Sequence, residues 1–290
     1  MKALISGAGG QVGRILLKSV PAGWTAAGLT HAELDIGDAA AVMAAVRARR
    51  PDLIISAGAY TAVDKAESEP EAAERANAMG ARHLAVAARE TGARVLHIST
   101  DFMFDGSASR PYPPDAATDP QSVYGRTKRR GEEAVLQVLP DASVIVRTAW
   151  VYAAAGNNFV RTMLRLLGSK GHVRVISDQV GTPTSATSLV EALWAFASRP
   201  DLKGIYHWTD LGVASWYDFA VAIAEEAAAL GLLPSSVRVD PIVTEEYPTP
   251  ARRPAYSVLD KRSAIEALGI PVRHWRVNLR EVLREIAATG

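Results

Sequence analysis

The chain has 290 residues, of which 48% are apolar and 22% charged, a composition ordinary for a soluble globular protein with a substantial core. The formal net charge of +1 gives no overall field that would recruit nucleic acid, and no stretch approaches the ~20 apolar residues of a membrane span. The absence of cysteine excludes disulfides, thiolate catalysis and cysteine-based zinc sites. The apolar run before the first glycines is too short for a signal peptide, so we expect a cytoplasmic protein that binds neither nucleic acid nor membrane.

Short apolar runs alternate with helical patterns in the first half of the chain. The runs predicted as buried strands are residues 3–6, 53–57, 95–99 and 144–147, with 25–29 as a weaker candidate. The predicted helices cover residues 12–20, 38–49, 69–90 and 123–138. Asp38 and Ser122 are suitable N-caps, and Gly92 follows the third helix. This alternation predicts a Rossmann-type, doubly wound α/β domain over residues 1–150.

The second half of the chain is less regular. It contains a predicted strand at residues 173–176 and predicted helices at 185–197, 216–230 and about 279–287. Prolines are expected to break up the stretch 233–256. We expect residues 151–290 to form mainly a smaller mixed α/β lobe that binds substrate and covers the C-terminal edge of the sheet. Part of the stretch 185–230 is expected to return to the first domain.

Glycines stand where the first strand turns into the first helix. Gly7, Gly10 and Gly13 allow a tight turn, a close approach of backbone to a pyrophosphate, and close packing of helix on strand. The N–H groups of the first helical turn then face the phosphates. This pattern predicts a dinucleotide site. In the sequence, neither an acid nor an arginine directly follows the second strand, which favours NADPH while leaving NADH open.

A tyrosine and a lysine four residues apart form the second motif. Tyr124 and Lys128 share one face of a predicted helix, and the ammonium is expected to lower the pKa of the phenol. A tyrosine tuned in this way can act as a general acid or base. Such pairs are common in helices, but here Thr100 follows a predicted parallel strand, at the edge where ligands bind. Thr100 is therefore expected to donate a hydrogen bond to a substrate oxygen while Tyr124 supplies a proton.

Six segments together resemble the dTDP-4-dehydrorhamnose reductase family, within the extended, sugar-nucleotide branch of the short-chain dehydrogenase/reductase superfamily. They are G-A-G-G-Q-V-G (7–13), T-A-V-D-K-A-E-S-E-P (61–70), S-T-D-F-M-F-D-G (99–106), Y-G-R-T-K (124–128), R-T-A-W-V-Y (147–152) and D-Q-V-G-T-P-T (178–184). The resemblance covers nearly the whole chain. It implies an oxidoreductase that reduces the C4 ketone of dTDP-4-dehydro-L-rhamnose with NAD(P)H, the last step of dTDP-L-rhamnose synthesis for cell-wall polysaccharide.

The same resemblance implies roles for individual residues. The catalytic residues would be Thr100, Tyr124 and Lys128. The cofactor would lie against Tyr124 and Lys128 and against Gly7, Gly10, Gln11, Val12, Gly13, Asp35, Ile36, Ala59, Tyr60 and Thr61. The nucleotide sugar would meet Thr100, Asp101, Trp150 and Arg253. Asp35 and Ile36 would flank the adenine, and Arg253 would pair with the diphosphate of the sugar nucleotide.

The chain departs from the family pattern at two places and leaves two properties open. Phe102-Met103 replaces an aromatic-valine pair, and Tyr256-Ser257 replaces an Asn-Ser pair; both changes can reshape the substrate pocket. Some members of the family bind Mg²⁺ through glutamates at a dimer interface, but those glutamates are not placed in this sequence. A Mg²⁺ site and a homodimer therefore both stay open, and the six histidines show no metal-ligand spacing.

Four alternatives compete with a reductase. Related 4,6-dehydratases place a glutamate directly after Thr-Asp to protonate the leaving hydroxyl, and Phe102 cannot do this. A 4-epimerase with tightly bound NAD, or another sugar-nucleotide oxidoreductase, is excluded less firmly. A non-catalytic regulator, like the regulatory subunit of methionine adenosyltransferase, is disfavoured because a binding module need not keep Thr100, Tyr124 and Lys128.

Overall fold

A central sheet of six parallel strands organises the computed structural model, which describes residues 1–289. In chain order the strands are β1 (Lys2–Ser6), β2 (Thr25–Leu29), β3 (Leu53–Ser56), β4 (Arg94–Thr100), β5 (Ser143–Thr148), β6 (Val151–Tyr152), β7 (His172–Ile176), β8 (Val180–Gly181), β9 (Thr184–Ser185), β10 (Gly204–His207), β11 (Ala214–Ser215) and β12 (Arg238–Ile242). The α-helices are α1 (Gln11–Lys18), α2 (Ala39–Arg49), α3 (Val63–Ala66), α4 (Pro70–Glu74), α5 (Gly80–Thr91), α6 (Val123–Val138), α7 (Phe159–Lys170), α8 (Ala186–Ala197), α9 (Trp216–Ala229), α10 (Arg262–Leu268) and α11 (Trp275–Thr289).

The order of the strands places a ligand crevice at one edge of the sheet. The sheet runs β2-β1-β3-β4-β5-β10, and every neighbouring pair is parallel. From β1 the chain first continues to β2 on one side and then crosses to β3 on the other. In open α/β sheets, ligands bind outside the carboxyl ends of the strands at such a switch point. The crevice is therefore expected between the ends of β1 and β3.

Helices cover both faces of the sheet, which explains why its central strands are mainly apolar and almost wholly buried. Every residue of β3 and β5 is buried. On one face, Leu16 of α1 and Leu193 of α8 belong to the same buried cluster as Val146. On the other face, α2, α5 and α6 contribute to a second buried cluster. The predicted doubly wound α/β fold is thereby confirmed.

The helix caps of the first half are confirmed at the predicted residues. Asp38 accepts hydrogen bonds from the backbone N–H groups of Ala40 and Ala41 at 2.9 and 3.0 Å. Ser122 accepts the backbone N–H of Gly125 at 3.1 Å, and α6 begins at the next residue. Gly92 closes α5 in the left-handed conformation, with φ of +75°. These caps fix the ends of α2, α5 and α6.

The single helix predicted at residues 69–90 is wrong in its middle. Between α4 and α5, Arg75–Met79 form a π-helical segment, so that the helix is interrupted. The buried Asn77 lies in this segment, where its side chain accepts the backbone N–H of Tyr60 at 2.8 Å and donates to the backbone oxygen of Tyr60 at 3.1 Å. π-Helical turns of this kind often occur at functional sites. The interruption places the Asn77 amide against the loop that follows β3.

In the second half, several elements differ from the prediction. Helices α7 and α10 and strands β10 and β12 were not predicted, and the closing helix begins four residues earlier than expected, at Trp275. The proline-rich stretch contains β12, which pairs in parallel with β7. Pro241 is tolerated because this sheet has only two strands, and each of them is an edge.

Residues beyond 150 contribute to two parts of the molecule. Strand β10 extends the central sheet beside β5, and α8 packs on that sheet. Helix α10 also packs into the cluster on that sheet. Most of the remaining elements build a separate buried cluster in which Tyr152, Phe219 and Leu279 are fully buried. Among residues 1–289, no helix is both long and apolar enough to cross a membrane.

Candidate active site

A cavity of about 1130 Å³ opens at the carboxyl ends of the sheet strands. Its walls come from the segments after β1, β3, β4 and β5, from α6, and from residues of the second half. Every residue that the sequence predicted for catalysis, cofactor or substrate lies in this wall: Gly7, Gly10, Gln11, Val12, Gly13, Asp35, Ile36, Ala59, Tyr60, Thr61, Thr100, Asp101, Tyr124, Lys128, Trp150 and Arg253. The fold therefore brings segments from both halves of the chain to one site.

The glycine turn after β1 is shaped by close contacts that no side chain would allow. Gly7 has φ of +73°, and a Cβ atom there would lie 2.5 Å from the backbone nitrogen of Gly58, at the end of β3. A Cβ atom on Gly13 would lie 2.3 Å from the backbone oxygen of Gly7. The turn is thus packed directly into the switch point, and α1 begins at Gln11 with its free N–H groups at the cavity. This is a cradle suited to a pyrophosphate.

A loop from the second half lies over the glycine turn. Asn158 donates to the side-chain oxygen of Gln11 at 2.8 Å, and the side-chain nitrogen of Gln11 donates to the backbone oxygen of Asn157 at 3.4 Å. A Cβ atom on Gly156 would lie 2.9 Å from Gln11 Cγ. Gln11 therefore links the phosphate end of the cavity to residues 153–158.

An arginine lies near the adenosine end, although the sequence shows none directly after β2. Arg75, from the π-helical segment, donates to Asp35 Oδ2 at 2.6 Å, and the backbone N–H of Gly37 donates to Asp35 Oδ1 at 2.8 Å. A Cβ atom on Gly37 would lie 2.7 Å from Arg75 Cγ, so glycine leaves room for the arginine. Two donors thereby fix the orientation of the Asp35 carboxylate in the cavity wall.

The three predicted catalytic side chains meet on one wall of the cavity. Thr100 ends β4, while Tyr124 and Lys128 come from successive turns of α6. The Thr100 hydroxyl donates to Asp101 Oδ1 at 3.1 Å and accepts the backbone N–H of Phe102 at 3.3 Å. Lys128 is buried, and its Nζ donates to the backbone oxygen of Ile98 at 2.7 Å. The ring of Phe102 packs edge-on against Tyr124, with centroids 5.5 Å apart.

The predicted lowering of the tyrosine pKa does not occur in the structure. Burial raises the pKa of Tyr124 to about 12, against a smaller opposing effect of the Thr100 hydroxyl. Burial also lowers the pKa of Lys128 to about 8, partly offset by the negative charge of Glu132. The physical reason is that Lys128 Nζ bonds to groups of β4 instead of the phenol, so the withdrawal of Tyr124 from water dominates.

Asp101 and two hydroxyl groups complete the sheet edge. Asp101 is only 2% exposed, and burial raises its pKa to about 6, although the Ser257 and Thr100 hydroxyls act in the opposite direction. The hydroxyls of Ser99 and Thr148 are buried and find no hydrogen-bond partner among the described residues. Since unpaired buried polar atoms are rare, these two hydroxyls suit a ligand that supplies partners in the cavity.

Trp150 lies in the wall in a conformation that its neighbours enforce. Its φ of +49° is unusual for a bulky residue. The indole stacks on Trp216 with ring centroids 3.5 Å apart and planes within 5°. A Cβ atom on Gly181 would lie 2.7 Å from the Trp150 ring, so glycine is needed beneath it. These contacts hold a flat aromatic surface in the cavity wall.

The arginine expected to meet the diphosphate is already engaged in an ion pair. Arg253 binds the two carboxylate oxygens of Asp64 at 2.9 and 2.8 Å and also donates to the hydroxyl of Thr249 at 2.8 Å. This pair lowers the pKa of Asp64. Asp64 belongs to α3, so the pair joins the two halves of the chain across the cavity. The carboxylate of Asp64 thus occupies the planar guanidinium fork of Arg253, a group whose geometry also suits a phosphate.

Reasoning from the sequence missed the partners that orient these residues. They are Asp64 beside Arg253, Arg75 beside Asp35, Asn77 beside Tyr60, and His97 beside Lys128. Asp64 lies in the segment 61–70 that resembles the family, and Arg75 lies shortly after it, which was the only sequence signal for these two residues. Nothing in the sequence indicated the roles of the buried Asn77 and His97.

The cavity fits a nicotinamide dinucleotide. The tight glycine turn, which brings the first turn of α1 to the cavity, supports this, as do the unpartnered hydroxyls at the strand ends. For a metal ion the picture differs: within residues 1–289, no three histidine or acidic side chains lie together in a suitable group.

Comparisons with known proteins agree along the whole chain. The model of the RmlD substrate binding domain family matches residues 1–288. A Streptomyces griseus dTDP-4-dehydrorhamnose reductase is 46% identical over 96% of this chain and 91% of its own. The spore coat polysaccharide biosynthesis protein SpsK of Bacillus subtilis is 42% identical over 98% and 97%. The crystal structure of a Bacillus anthracis dTDP-4-dehydrorhamnose reductase in complex with NADP is similar with a TM-score of 0.91, at 34% identity over 98% of this chain and 99% of that one.

Proposed function

The chain belongs to the family of the RmlD substrate binding domain, and from this membership we propose that it reduces the C4 ketone of dTDP-4-dehydro-L-rhamnose to give dTDP-L-rhamnose. It is an oxidoreductase of the nicotinamide-dependent kind. The observation that carries the proposal is the meeting of Thr100, Tyr124 and Lys128 on one wall of a cavity whose other end is the glycine cradle. That arrangement supports an acid acting beside a dinucleotide site.

The proposed cofactor is NADPH, in keeping with the NADP-bound relative. Gly7, Gly10, Gln11, Val12 and Gly13 would hold the pyrophosphate through backbone N–H groups. Asp35, Ile36, Ala59, Tyr60 and Thr61 would line the adenosine and the central part of the cofactor, and Lys128 would hold the nicotinamide ribose. When bound, the cofactor supplies the hydride that reduces the ketone.

The chain itself supplies the proton and the positioning. Because its pKa is about 12, Tyr124 keeps its proton at neutral pH and can donate it to the oxygen that develops negative charge at C4. Lys128 would act from the side of the cofactor, because its Nζ bonds to groups of β4 and not to the phenol. The Thr100 hydroxyl, which now donates to Asp101, would turn its hydrogen bond to the substrate oxygen.

The sugar nucleotide is proposed to occupy the side of the cavity built by the second half. Arg253 would exchange the carboxylate of Asp64 for the diphosphate, since both present oxygens to the guanidinium fork. Asp101 and the ring of Trp150 would contact the sugar. Phe102 stands beside Tyr124 where a dehydratase would need an acid, which favours reduction over dehydration.

Absorbance of the reduced nicotinamide tests this function directly. Purified protein is mixed with NADPH or NADH and with dTDP-4-dehydrorhamnose generated in the same tube. Oxidation that tracks the formation of dTDP-rhamnose is expected, and the two rates give the cofactor preference. If neither cofactor is oxidised although NADPH binds, the proposal is overturned in favour of another sugar nucleotide or a regulatory role.

A further inference from the structure

A row of polar side chains lies beneath Lys128 in the buried layer between α6 and the sheet. Ser56 of β3 and His97 of β4 are register partners, so their side chains lie side by side on the same face of the sheet. They are 2% and 1% exposed, and Lys128, which lies over them from α6, is 3% exposed. Buried polar groups are costly unless they are hydrogen-bonded, so this row requires an explanation.

The chemistry of the three groups fixes the direction of their hydrogen bonds. A lysine ammonium has only donors, so His97 Nε2 must accept from Lys128 Nζ, 3.4 Å away. His97 Nδ1 then carries the proton and donates to the Ser56 hydroxyl at 3.0 Å. Burial, and next the charge of Lys128, hold the pKa of His97 well below its usual range, which keeps the imidazole neutral.

The ammonium of Lys128 thereby has two of its three donors engaged within the protein. One N–H goes to the backbone oxygen of Ile98 at 2.7 Å and one goes to His97. The third N–H remains, and Lys128 lines the cavity. Two fixed acceptors on β4 therefore determine where the third donor points.

We propose that His97 is a positioning residue for Lys128: its neutral ring, held by Ser56, fixes the ammonium so that the remaining N–H faces the cofactor ribose and Tyr124. This inference rests on the proposed function of Lys128. The row does not carry protons to solvent, because Ser56, at its far end, is itself buried. A leucine in place of His97 would fill the layer without the cost of a buried ring, so the imidazole has a role beyond packing.

The charged surroundings of Lys128 make the pH dependence interpretable. Glu132 and Tyr124 lie on the same helix, and Asp101 follows β4. Glu132 is paired with Arg147 of β5 by hydrogen bonds of 2.7 to 3.1 Å. These groups stay unchanged when only His97 is replaced. A shift in the pH profile then reports the loss of its acceptor.

The test compares His97→Leu, which removes the acceptor, with His97→Gln, whose amide oxygen can still accept. Leu96→Val is the matched control, because Leu96 is also buried on β4 but belongs to the cluster on the opposite face. Ser56→Ala is included because it keeps the imidazole and changes less volume, should His97→Leu fail to fold. Two readouts are taken across pH: kcat and KM for the sugar nucleotide, and the affinity for NADPH alone from nicotinamide fluorescence.

We expect His97→Leu to lower kcat about 10- to 100-fold, the range of one hydrogen bond to a charged group, with little change in KM for the sugar nucleotide. The alkaline limb of the profile should move to lower pH, because an ammonium without its acceptor loses its proton more easily. His97→Gln should recover most of the rate, and Ser56→Ala should move the limb less. Leu96→Val should leave it in place.

The proposal is overturned if His97→Leu behaves as Leu96→Val does, or if His97→Gln is as impaired as His97→Leu. Failure of the proposed function is distinguishable. If the unmodified protein reduces no dTDP-4-dehydrorhamnose, only the NADPH titrations test the positioning role of His97. The role is supported if His97→Leu loses affinity for NADPH at a lower pH than the unmodified protein does. It is overturned if the two proteins show the same dependence of NADPH affinity on pH.

Discussion

The two ends of the cavity are built by different means. At the cofactor end, glycines and backbone N–H groups form the surface, and Gly7 lies directly against the end of β3. At the sugar end, side chains form pairs with one another: Thr100 with Asp101, Arg253 with Asp64, and Trp150 with Trp216. The first end needs no rearrangement to accept a phosphate. The second is proposed to exchange internal partners for those of a ligand, and such an exchange can discriminate between ligands.

The largest effect is expected from a substitution in the glycine turn, at the end of the cavity that is built from backbone. Gly7→Ala places a Cβ atom in a left-handed position where backbone lies 2.5 Å away, so we expect loss of NADPH binding by more than about 100-fold or a failure to fold. Gly92→Ala is the matched control, because Gly92 has φ of +75° but nothing within 4 Å. It should cost only about 1–2 kcal/mol of unfolding free energy. Thermal melts and nicotinamide fluorescence measure both; equal effects of the two substitutions would contradict the close-packing argument.

The next largest effect is expected from removing the hydroxyl of Tyr124, the proposed proton donor. Tyr124→Phe removes the proton donor and should lower kcat by about 10²- to 10⁴-fold while KM for the sugar nucleotide changes little. Tyr112→Phe is the control, since the Tyr112 hydroxyl donates to Asp105 at 2.9 Å and is absent from the cavity wall. Steady-state kinetics with saturating NADPH measure the difference. A fully active Tyr124→Phe protein would show that another group supplies the proton.

A smaller effect is expected at the sugar end. Arg253→Ala should lower kcat/KM for the sugar nucleotide by about 10- to 100-fold and leave the affinity for NADPH unchanged, because the guanidinium is proposed to meet only the diphosphate of the substrate. Arg262→Ala removes another arginine–carboxylate pair, with Asp260, that lies on the surface. That control should leave both constants unchanged. If Arg253→Ala lowered the affinities for NADPH and for the sugar nucleotide equally, the proposal that Arg253 contacts only the diphosphate of the substrate would be contradicted.

The smallest effect concerns stability at the sugar end. The pKa of Asp101 is raised to about 6, above its unfolded value near 3.9, so its favourable contribution is present below about pH 4 and is lost as the pH rises through 6. Asp101→Asn cannot ionise and should be more stable than the unmodified protein above pH 6, by about 3 kcal/mol at most. The advantage should vanish near pH 4.

Urea unfolding at several pH values measures this difference, and Asp105→Asn serves as a control of opposite sign. Hydrogen bonds from Ser107 lower the pKa of Asp105, so that its contribution is present at neutral pH and is lost on acidification. Asp105→Asn should therefore be less stable at neutral pH. A pH-independent gain in Asp101→Asn would refute the assignment.

The same contrast between local and distant contacts explains what the sequence could predict. Caps and glycines act within a few residues, so Ser122 and the turn at Gly7 could be located from local patterns. Membership of the cavity followed from motifs at strand ends only for residues such as Gly7 and Thr100, whereas Asp35, Trp150 and Arg253 were placed by the resemblance to the family. Caps, glycine turns and motifs are features that any single stretch of sequence carries with it.

What could not be predicted depends on residues far apart in the chain. The pairs of Arg253 with Asp64 and Lys128 with His97 are visible only once the sheet is assembled. Strand β12 is held by β7, and its exposed, proline-containing sequence carries no strand signal of its own. The pKa of Tyr124 was predicted in the wrong direction because spacing on a helix does not reveal which neighbour an ammonium will choose.

The stacked indoles in the cavity wall also make the protein its own optical reporter. Two tryptophan rings that overlap within 5° of parallel couple their electronic transitions, and this coupling contributes to near-ultraviolet circular dichroism. A ligand that shifts Trp150 against Trp216 must weaken the coupling. The proposed binding of the sugar nucleotide against Trp150 can therefore be tested without a label and without turnover, in a spectral region separate from the absorption of the reduced nicotinamide.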